Sequence, residues 1–177
     1  MSQPQPVNGI TILDDVFDKE EYEYIRSYCE NVSYAYGETD TEDGPVTGLV
    51  HEVLDVNNIN SGAIELYKLF ENKLIQCFPD VRDREPYRMY INCFANSENP
   101  YFHEDSPGDP GITFLYYPTI NWQLNDGGET QFFIDGHFYG VAPKPNRLVA
   151  FDALLTHRAT TFRDRHRFSV AIKYFLD

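Results

Sequence analysis

Long apolar stretches are missing from this sequence. No run of 18 consecutive apolar residues occurs, and the opening "MSQPQPVNGI" has neither a basic start nor an apolar core. The sequence therefore predicts neither a membrane span nor an export signal. We expect a soluble, cytoplasmic protein without a membrane partner.

Cysteine is scarce and is not arranged in pairs. The three residues, Cys29, Cys77 and Cys93, form no CxxC motif. An odd number at these spacings suits neither a disulfide scaffold nor a zinc site. We expect reduced thiols that pack as small apolar side chains.

The motifs of several large enzyme classes are also absent. The chain has no GxSxG nucleophile turn, no phosphate-binding Walker loop and no GxGxxG dinucleotide loop. Each motif supplies a nucleophile or a phosphate cradle that its class requires. Their absence argues against hydrolase, kinase and dehydrogenase functions.

Basic residues are outnumbered two to one. The chain has 14 Lys and Arg against 28 Asp and Glu, a formal net charge of -14. Residues 1–86 hold 18 of the acidic side chains and 6 of the basic ones. Such a field repels phosphate backbones, so we expect no nucleic-acid partner, whereas a cationic or neutral partner fits.

What the chain does contain is enough apolar material for one core. Its 177 residues are 42% hydrophobic and 15% aromatic, which predicts a single domain over residues 1–177. Tyr and Phe concentrate after residue 85 and favour β structure there. We expect a helical support region at residues 1–86 and a core barrel at residues 87–177.

The first 86 residues predict two helices and two strands. Asp18 can cap a helix over residues 18–32, and apolar spacing predicts a second helix over residues 60–78. The stretches "ITILDDVF" and "VTGLVHEVLDV" are strand candidates. Between them, "YGETDTEDGP" predicts an exposed, mobile loop, and its acidic residues 37–45 are a candidate cover for a site.

The second half alternates short apolar runs with turn signals. The runs are "YRMYINCF", "GITFLYYP", "GGETQFFI", "HFYGVAP", "NRLVAFD", "HRATTF" and "RFSVAIKYFL". Asp135 and Gly136 between two of them predict a hairpin. Repeated strands at this spacing indicate a sandwich or a barrel.

Three polar residues in this half form a candidate metal site. If "YFHED" lies on a strand, His103 and Asp105 share one face, and His157 follows the apolar run "RLVAFD". In a closed antiparallel fold these segments can lie side by side. Two imidazoles and one carboxylate suit iron(II) and leave room for a co-substrate and dioxygen.

The last strand offers a site for a carboxylate. Arg167 and Ser169 share one face, and Arg167 lies ten residues after His157, so its guanidinium can return to the pocket and hold a carboxylate by two hydrogen bonds. Ser169 is either a co-substrate contact or a small residue required for packing. His166 has the opposite parity and should point away.

Together these motifs resemble a known family. The order HxD, "GGETQFF", "RLVAFD", His157 and RxS resembles the iron(II)- and 2-oxoglutarate-dependent oxygenases, and is most similar to their prolyl 4-hydroxylase branch. The resemblance covers roughly residues 85–177. It implies a double-stranded β-helix, a jelly-roll-like barrel of two antiparallel sheets with N-terminal supporting helices.

The resemblance also implies roles for single residues. His103, Asp105 and His157 would bind iron(II), and Arg167 would bind 2-oxoglutarate. In "LYYP", Tyr117 would hydrogen-bond the distal carboxylate of that co-substrate beside Arg167. The nearest match to a co-substrate tyrosine of the family is Phe94, which has no hydroxyl, and Lys173 replaces an aromatic residue.

The reaction implied is hydroxylation of an unactivated C–H bond, with dioxygen as oxidant and ascorbate as a possible support. A prolyl residue in a peptide or protein is the favoured substrate. Two alternatives stay open: the same chemistry on a small molecule or free amino acid, and an inactive barrel that binds a partner. Candidate pocket walls are Phe114, Leu115 and Phe132.

Overall fold

The computed structural model describes residues 8–41, 44–56, 58–106 and 108–176. Residues 1–7 of the Pro- and Gln-rich start, residues 42 and 43 of the expected acidic loop, and residues 57, 107 and 177 lie outside that description. Two α-helices occur in it, α1 (Lys19–Asn31) and α2 (Ile64–Cys77). The strands are β1 (Ile10–Leu13), β2 (Ala35–Thr39), β3 (Val46–Asp55), β4 (Asn58–Ile59), β5 (Pro86–Phe94), β6 (Gly111–Tyr117), β7 (Thr130–Ile134), β8 (His137–Val141), β9 (Arg147–Asp152), β10 (His157–Ala159) and β11 (Arg167–Phe175).

Local sequence signals account for the helices and the tightest turn. The Asp18 side chain accepts from the Glu21 backbone N–H at 2.9 Å, and the Glu21 carboxylate accepts from the Asp18 N–H at 3.0 Å, which forms a capping box for α1. Asp135 and Gly136 both have positive φ, as a two-residue hairpin between β7 and β8 requires. Both predictions are confirmed.

The strands form two antiparallel sheets. The larger has the order β1-β9-β6-β11-β5-β3-β2, with β4 paired to β3, and the smaller has the order β10-β7-β8. Residues 1–86 therefore supply four strands as well as both helices. The mainly β architecture is the double-stranded β-helix that the sequence predicts.

Alternation along the strands sorts side chains between two cores. Even-numbered residues of β6 and β11, such as Phe114 and Ile172, pack with α1 and α2 on the outer face of the larger sheet. Leu115, Ala171 and Phe132 pack between the two sheets instead. This second core lies between the inward face of β11 and the smaller sheet, and the site described below lies in the same space.

Two expectations need correction. Residues 36–39 of the expected loop belong to strand β2, because they pair with β3 in the register Tyr36↔Leu49. Phe114 does not line a pocket, because it is adjacent to Leu115 on a strand and must point to the opposite face. In the described part of the chain, neither helix is long and apolar enough to cross a membrane.

Candidate active site

Two histidines lie on neighbouring, paired stretches of main chain. His103 forms an isolated antiparallel bridge with His157, the first residue of β10, through reciprocal N–H to carbonyl hydrogen bonds of 2.9 Å. Two residues later, the Asp105 N–H donates to the Ala153 carbonyl at 2.9 Å. The main chain therefore brings three segments of the sequence to one place.

The three side chains converge as the sequence predicts. Asp105 Oδ1 lies 3.6 Å from His103 Nε2, and Asp105 Oδ2 lies 3.5 Å from His157 Nε2. One ligand atom from each residue lies within 4.8 Å of the other two. This spacing allows all three to reach one ion.

Backbone carbonyls orient both imidazoles. His103 Nδ1 donates to the Tyr101 carbonyl at 3.0 Å, and His157 Nδ1 donates to the Leu155 carbonyl at 2.8 Å. A carbonyl can only accept, so the proton sits on Nδ1 and the lone pair sits on Nε2. Each histidine thus presents a free electron pair toward Asp105.

Asp105 is 3% exposed and is held by two donors. Thr113 Oγ1 donates to Oδ2 at 2.7 Å, and Lys173 Nζ lies 2.8 Å from Oδ1. Burial alone would raise the pKa of Asp105, but the ammonium of Lys173 and the two imidazoles hold it well below its ordinary value. The carboxylate is therefore ionised and fixed in orientation.

The two imidazoles differ in electrostatic environment. Burial lowers the pKa of His157, which favours its neutral form. Burial also opposes the charged form of His103, but the nearby negative charge of Asp105 raises the pKa of that imidazole overall. The carboxylate of Asp40 adds to this effect, since its Oδ1 lies 3.7 Å from His103 Nδ1.

Arg167 is buried at the start of β11, on the strand face that also carries Lys173. Its Nε donates to the Gly128 carbonyl at 2.8 Å. Its two terminal nitrogens donate to Ser169 Oγ at 3.1 Å and to Thr130 Oγ1 at 3.0 Å. A guanidinium carries five N–H groups, so one on each terminal nitrogen is left for a further acceptor.

Tyr117 lies beside Arg167 but donates elsewhere. Its hydroxyl donates to Thr130 Oγ1 at 2.7 Å, and its ring centroid is 5.5 Å from the Arg167 guanidinium carbon. Burial raises the pKa of Tyr117, so its hydroxyl keeps its proton. Thr130 thus links the tyrosine to the arginine.

One cavity joins the two ends of the site. It has a volume of about 330 Å³ and is bounded by His103, Asp105 and His157 at one end and by Arg167 and Ser169 at the other. Leu115 and Phe151 supply apolar wall. Phe132, also predicted as a wall, does not border the cavity and packs instead beside His157, with ring centroids 5.8 Å apart.

Sequence reasoning missed several residues around the cavity. Thr113, Thr130 and Lys173 all face it, as do the Glu38–Thr41 segment and Asn92. A signal existed for Lys173, because it lies on the same strand face as Arg167 by even spacing. No sequence signal places Asp40, whose carboxylate accepts from the Tyr101 N–H at 2.7 Å across 61 residues.

The remaining histidines lie away from this cluster. His51 contacts the Tyr28 hydroxyl at 3.2 Å and the Ser33 carbonyl at 2.9 Å. His137 is exposed at the hairpin, and His166 is exposed as its parity predicts. Among the described residues, none of these three histidines belongs to the cluster of potential metal ligands, which consists of His103, Asp105 and His157.

Comparisons with solved structures place the fold. A prolyl-4-hydroxylase of Pseudomonas putida aligns at TM-score 0.69 and 15% identity over 96% of this chain and 93% of its own. A prolyl hydroxylase of Trichoplax adhaerens, solved with a hypoxia inducible factor peptide, gives TM-score 0.75 and 16% identity over 96% and 84%. HygX of Streptomyces hygroscopicus, solved with nickel, 2-oxoglutarate and hygromycin B, gives 0.68 and 14% over 94% and 82%.

Sequence comparisons add the family. No curated protein matches the sequence. The family model of the 2OG-Fe(II) oxygenase superfamily matches residues 87–175, half of the chain. The chain therefore belongs to the 2OG-Fe(II) oxygenase superfamily, whose cofactor is iron(II) and whose co-substrate is 2-oxoglutarate.

Proposed function

We propose that this oxygenase hydroxylates a prolyl residue of a peptide or protein, with iron(II) held by His103, Asp105 and His157. The observation that carries the proposal is the convergence of those three side chains in one cavity with Arg167. Residues 1–177 would act as one catalytic domain, since β1 and β3 from the first half extend the sheet formed by the second.

The donor set fits iron(II). Both Nε2 lone pairs and an ionised carboxylate meet at one point, and the two Nδ1–H groups are held by backbone carbonyls. Such outer contacts fix ligand orientation. Bound iron(II), together with 2-oxoglutarate and dioxygen, supplies the oxidation that converts a C–H bond to C–OH while 2-oxoglutarate becomes succinate and carbon dioxide.

Arg167 would hold the distal carboxylate of 2-oxoglutarate. Its planar fork has two N–H groups left after those bound by Gly128, Ser169 and Thr130, which is the number a bidentate carboxylate accepts. Ser169 and Thr130 orient the fork. The role predicted for Tyr117 becomes indirect in this arrangement, since its hydroxyl supports Thr130.

The walls of the cavity would exclude water from the reacting carbon. Leu115 and Phe151 are buried and lie between the two polar ends. A dry site strengthens the electrostatic contacts made inside it and prevents side reactions. The Glu38–Thr41 segment borders the same cavity and lies where a substrate would enter or be covered.

Similarity to two prolyl hydroxylases supports a prolyl substrate, and one of them was solved with a peptide. A second candidate is a small molecule or free amino acid. It is supported by HygX, whose TM-score of 0.68 is close to the 0.69 of the Pseudomonas putida enzyme and which was solved with hygromycin B. The fold is common to both groups, so the substrate must be found by assay.

Succinate formation separates these functions. Purified protein with iron(II), 2-oxoglutarate and ascorbate would be given proline-containing peptides in one series and free amino acids in another. We expect succinate and a hydroxylated peptide in the first series. Succinate with amino acids alone would favour the second candidate.

Anaerobic titration tests the site itself. We expect a weak visible charge-transfer band when iron(II) and 2-oxoglutarate are added, and we expect His103→Ala to abolish it. His137→Ala is the matched control, since His137 lies at the exposed hairpin. A wild-type protein without the band would indicate a barrel that only binds a partner.

A further inference from the structure

A buried carboxylate faces one of the proposed metal ligands from the side away from the metal. Asp40 directly follows strand β2, borders the cavity, and has a side chain that is 7% exposed. Its Oδ2 accepts from the Tyr101 N–H at 2.7 Å, and its Oδ1 lies 3.7 Å from His103 Nδ1. The second distance is too long for a hydrogen bond, so Asp40 acts on the imidazole through its charge.

The pairing of charges around the cavity leaves this carboxylate apart. Among the described residues, the other buried carboxylates that border the cavity have basic partners, since Glu38 pairs with Arg88 and Asp105 pairs with Lys173. No lysine or arginine in that part of the chain is within salt-bridge distance of Asp40. A carboxylate buried without a cation is costly. A cation held by the neighbouring imidazole would offset this cost.

The fold does not support the two proposed histidine ligands equally. His157 begins β10 and pairs there with Phe132, and its ring centroid lies 4.7 Å from that of Phe151. His103 lies outside the named strands and is joined to His157 by an isolated bridge. The position of His103 therefore depends more strongly on the contacts of the loop that carries it.

Asp40 supplies one of those loop contacts. It accepts from the Tyr101 N–H, and the Tyr101 carbonyl in turn accepts from His103 Nδ1 at 3.0 Å. Two residues before Asp40, both oxygens of Glu38 accept from Arg88 on β5, at 3.3 and 3.0 Å. The segment that carries Asp40 is therefore itself tied to the larger sheet, and it can hold the His103 loop in place.

We propose that Asp40 is a positioning residue for iron(II), which fixes the loop of His103 and strengthens that imidazole as a metal ligand by its negative charge. The inference rests on the ligand set of the proposed function. Ligation through Nε2 draws electron density from the ring and makes it more positive, and a carboxylate on the Nδ1 side stabilises that state. Outer contacts of this kind typically change metal affinity by about 10- to 100-fold.

Asp40→Asn separates the charge from the loop contact, because the amide oxygen can still accept from the Tyr101 N–H. Calorimetric titration of the metal-free protein with Mn(II) should give a dissociation constant about 10- to 100-fold above that of the wild type. Asp40→Ala removes both effects and should bind more weakly still. Asp40→Glu restores the charge and should bind more tightly than Asp40→Asn. If Asp40→Ala does not fold, the other two variants carry the test.

Glu104→Gln is the matched control. Glu104 follows His103 directly and borders the same cavity, but its side chain is exposed and contacts the Thr156 hydroxyl at 3.4 Å. The variant removes the same charge from a position where water screens it. Its dissociation constant for Mn(II) should stay within about threefold of the wild-type value.

Site-specific NMR shows whether the effect passes through His103. In the Zn(II) complex of protein with isotope-labelled histidine, the Nδ1–H groups of His103 and His157 give separate signals. The His103 signal should move upfield in Asp40→Asn, because the negative charge beside that N–H is gone, while the His157 signal should stay. A general loosening of the fold would move both.

Equal Mn(II) affinity of Asp40→Asn and the wild type overturns the inference, as does a loss matched by Glu104→Gln or a His103 signal that does not move. His103→Ala separates this failure from that of the proposed function. If His103→Ala binds Mn(II) as tightly as the wild type, the ligand set fails and the inference fails with it. If His103→Ala loses the metal and Asp40→Asn does not, the inference alone fails. An Asp40-dependent affinity without succinate formation supports the inference and contradicts the proposed reaction.

Discussion

The Tyr117 hydroxyl donates to Thr130 Oγ1 at 2.7 Å, and the same oxygen accepts from Arg167 at 3.0 Å. One threonine oxygen thus satisfies two buried donors that come from β6 and β11. The arginine is fixed by this contact before any co-substrate binds, so its orientation is a property of the folded protein.

Thr130→Val should therefore destabilise the protein and weaken 2-oxoglutarate binding. The variant keeps the shape of Thr130 but leaves the Tyr117 hydroxyl and one Arg167 N–H unpaired, at a cost of about 2–4 kcal/mol in the free energy of unfolding. Urea unfolding followed by circular dichroism, and calorimetry of 2-oxoglutarate with Mn(II), measure the two effects.

Thr119→Val is the matched control for that experiment. Thr119 Oγ1 is also buried but has no hydrogen-bond partner among the described residues. Its replacement should leave stability unchanged or slightly higher. A cost at Thr119 as large as that at Thr130 would contradict the explanation.

Gly128→Ala should disturb the site through the backbone. Gly128 has φ of +81°, and an added Cβ would lie 2.4 Å from the Phe162 ring, while its carbonyl binds Arg167. We expect a loss of about 2–4 kcal/mol in unfolding free energy from strain and overpacking together. Gly136→Ala has nearly the same φ but open space around it, so it should lose only about 1–2 kcal/mol.

Metal binding should stabilise the fold. Mn(II) at 100 times its dissociation constant should add about 2.7 kcal/mol to the free energy of unfolding, because the unfolded chain lacks the site. His157→Ala should lose this gain, while His137→Ala should keep it. Thermal unfolding with and without Mn(II) measures the difference, and a gain retained by His157→Ala would rule out the proposed ligand set.

Acid should weaken the ion pair between Asp14, just after β1, and Arg147, the first residue of β9. Arg147 Nε donates to Asp14 at 2.6 Å, and this hydrogen bond lowers the pKa of Asp14. A carboxyl whose pKa is lowered by folding stabilises the protein above its unfolded pKa of about 3.9, and this stabilisation disappears as the pH falls through the folded pKa.

Asp14→Asn should accordingly cost about 1 kcal/mol at pH 7, a figure kept small because the carboxylate is half exposed. The difference from wild type should shrink as the pH falls below the unfolded pKa of about 3.9 and should vanish once the pH is below the lowered folded pKa. Urea unfolding across this pH range measures it, with Asp15→Asn, an exposed neighbour, as control. A difference independent of pH would exclude the ion pair as its source.

Strand parity made much of the site predictable. Arg167 and Ser169 on β11 could be placed on one face from even spacing alone. His103 and Asp105 converge for another reason: the expected strand at residues 101–105 does not form, and the loop there is held by backbone hydrogen bonds to His157 and Ala153. The same rule applied further would have placed Lys173 on the cavity face with Arg167 and would have separated Phe114 from Leu115. The even spacing along β6 and β11 contains this information, but it has to be followed over more than two residues.

Long-range polar contacts could not be predicted in this way. Strand β2 is polar and has no apolar alternation, so only its pairing with β3 reveals it. Asp40 and Glu38 reach the cavity through contacts with Tyr101 and Arg88, which are 61 and 50 positions away. Such contacts depend on how distant segments of the chain come together in the fold, which local sequence patterns do not specify.

The reciprocal backbone hydrogen bonds between His103 and His157 fix the position of the site, whereas the two side chains determine what it binds. Main-chain amides set the gap between the two imidazoles, so an exchange of either side chain alters the chemistry on offer while the frame persists. New ligand sets could therefore be installed at these two positions by mutation without rebuilding the barrel around them.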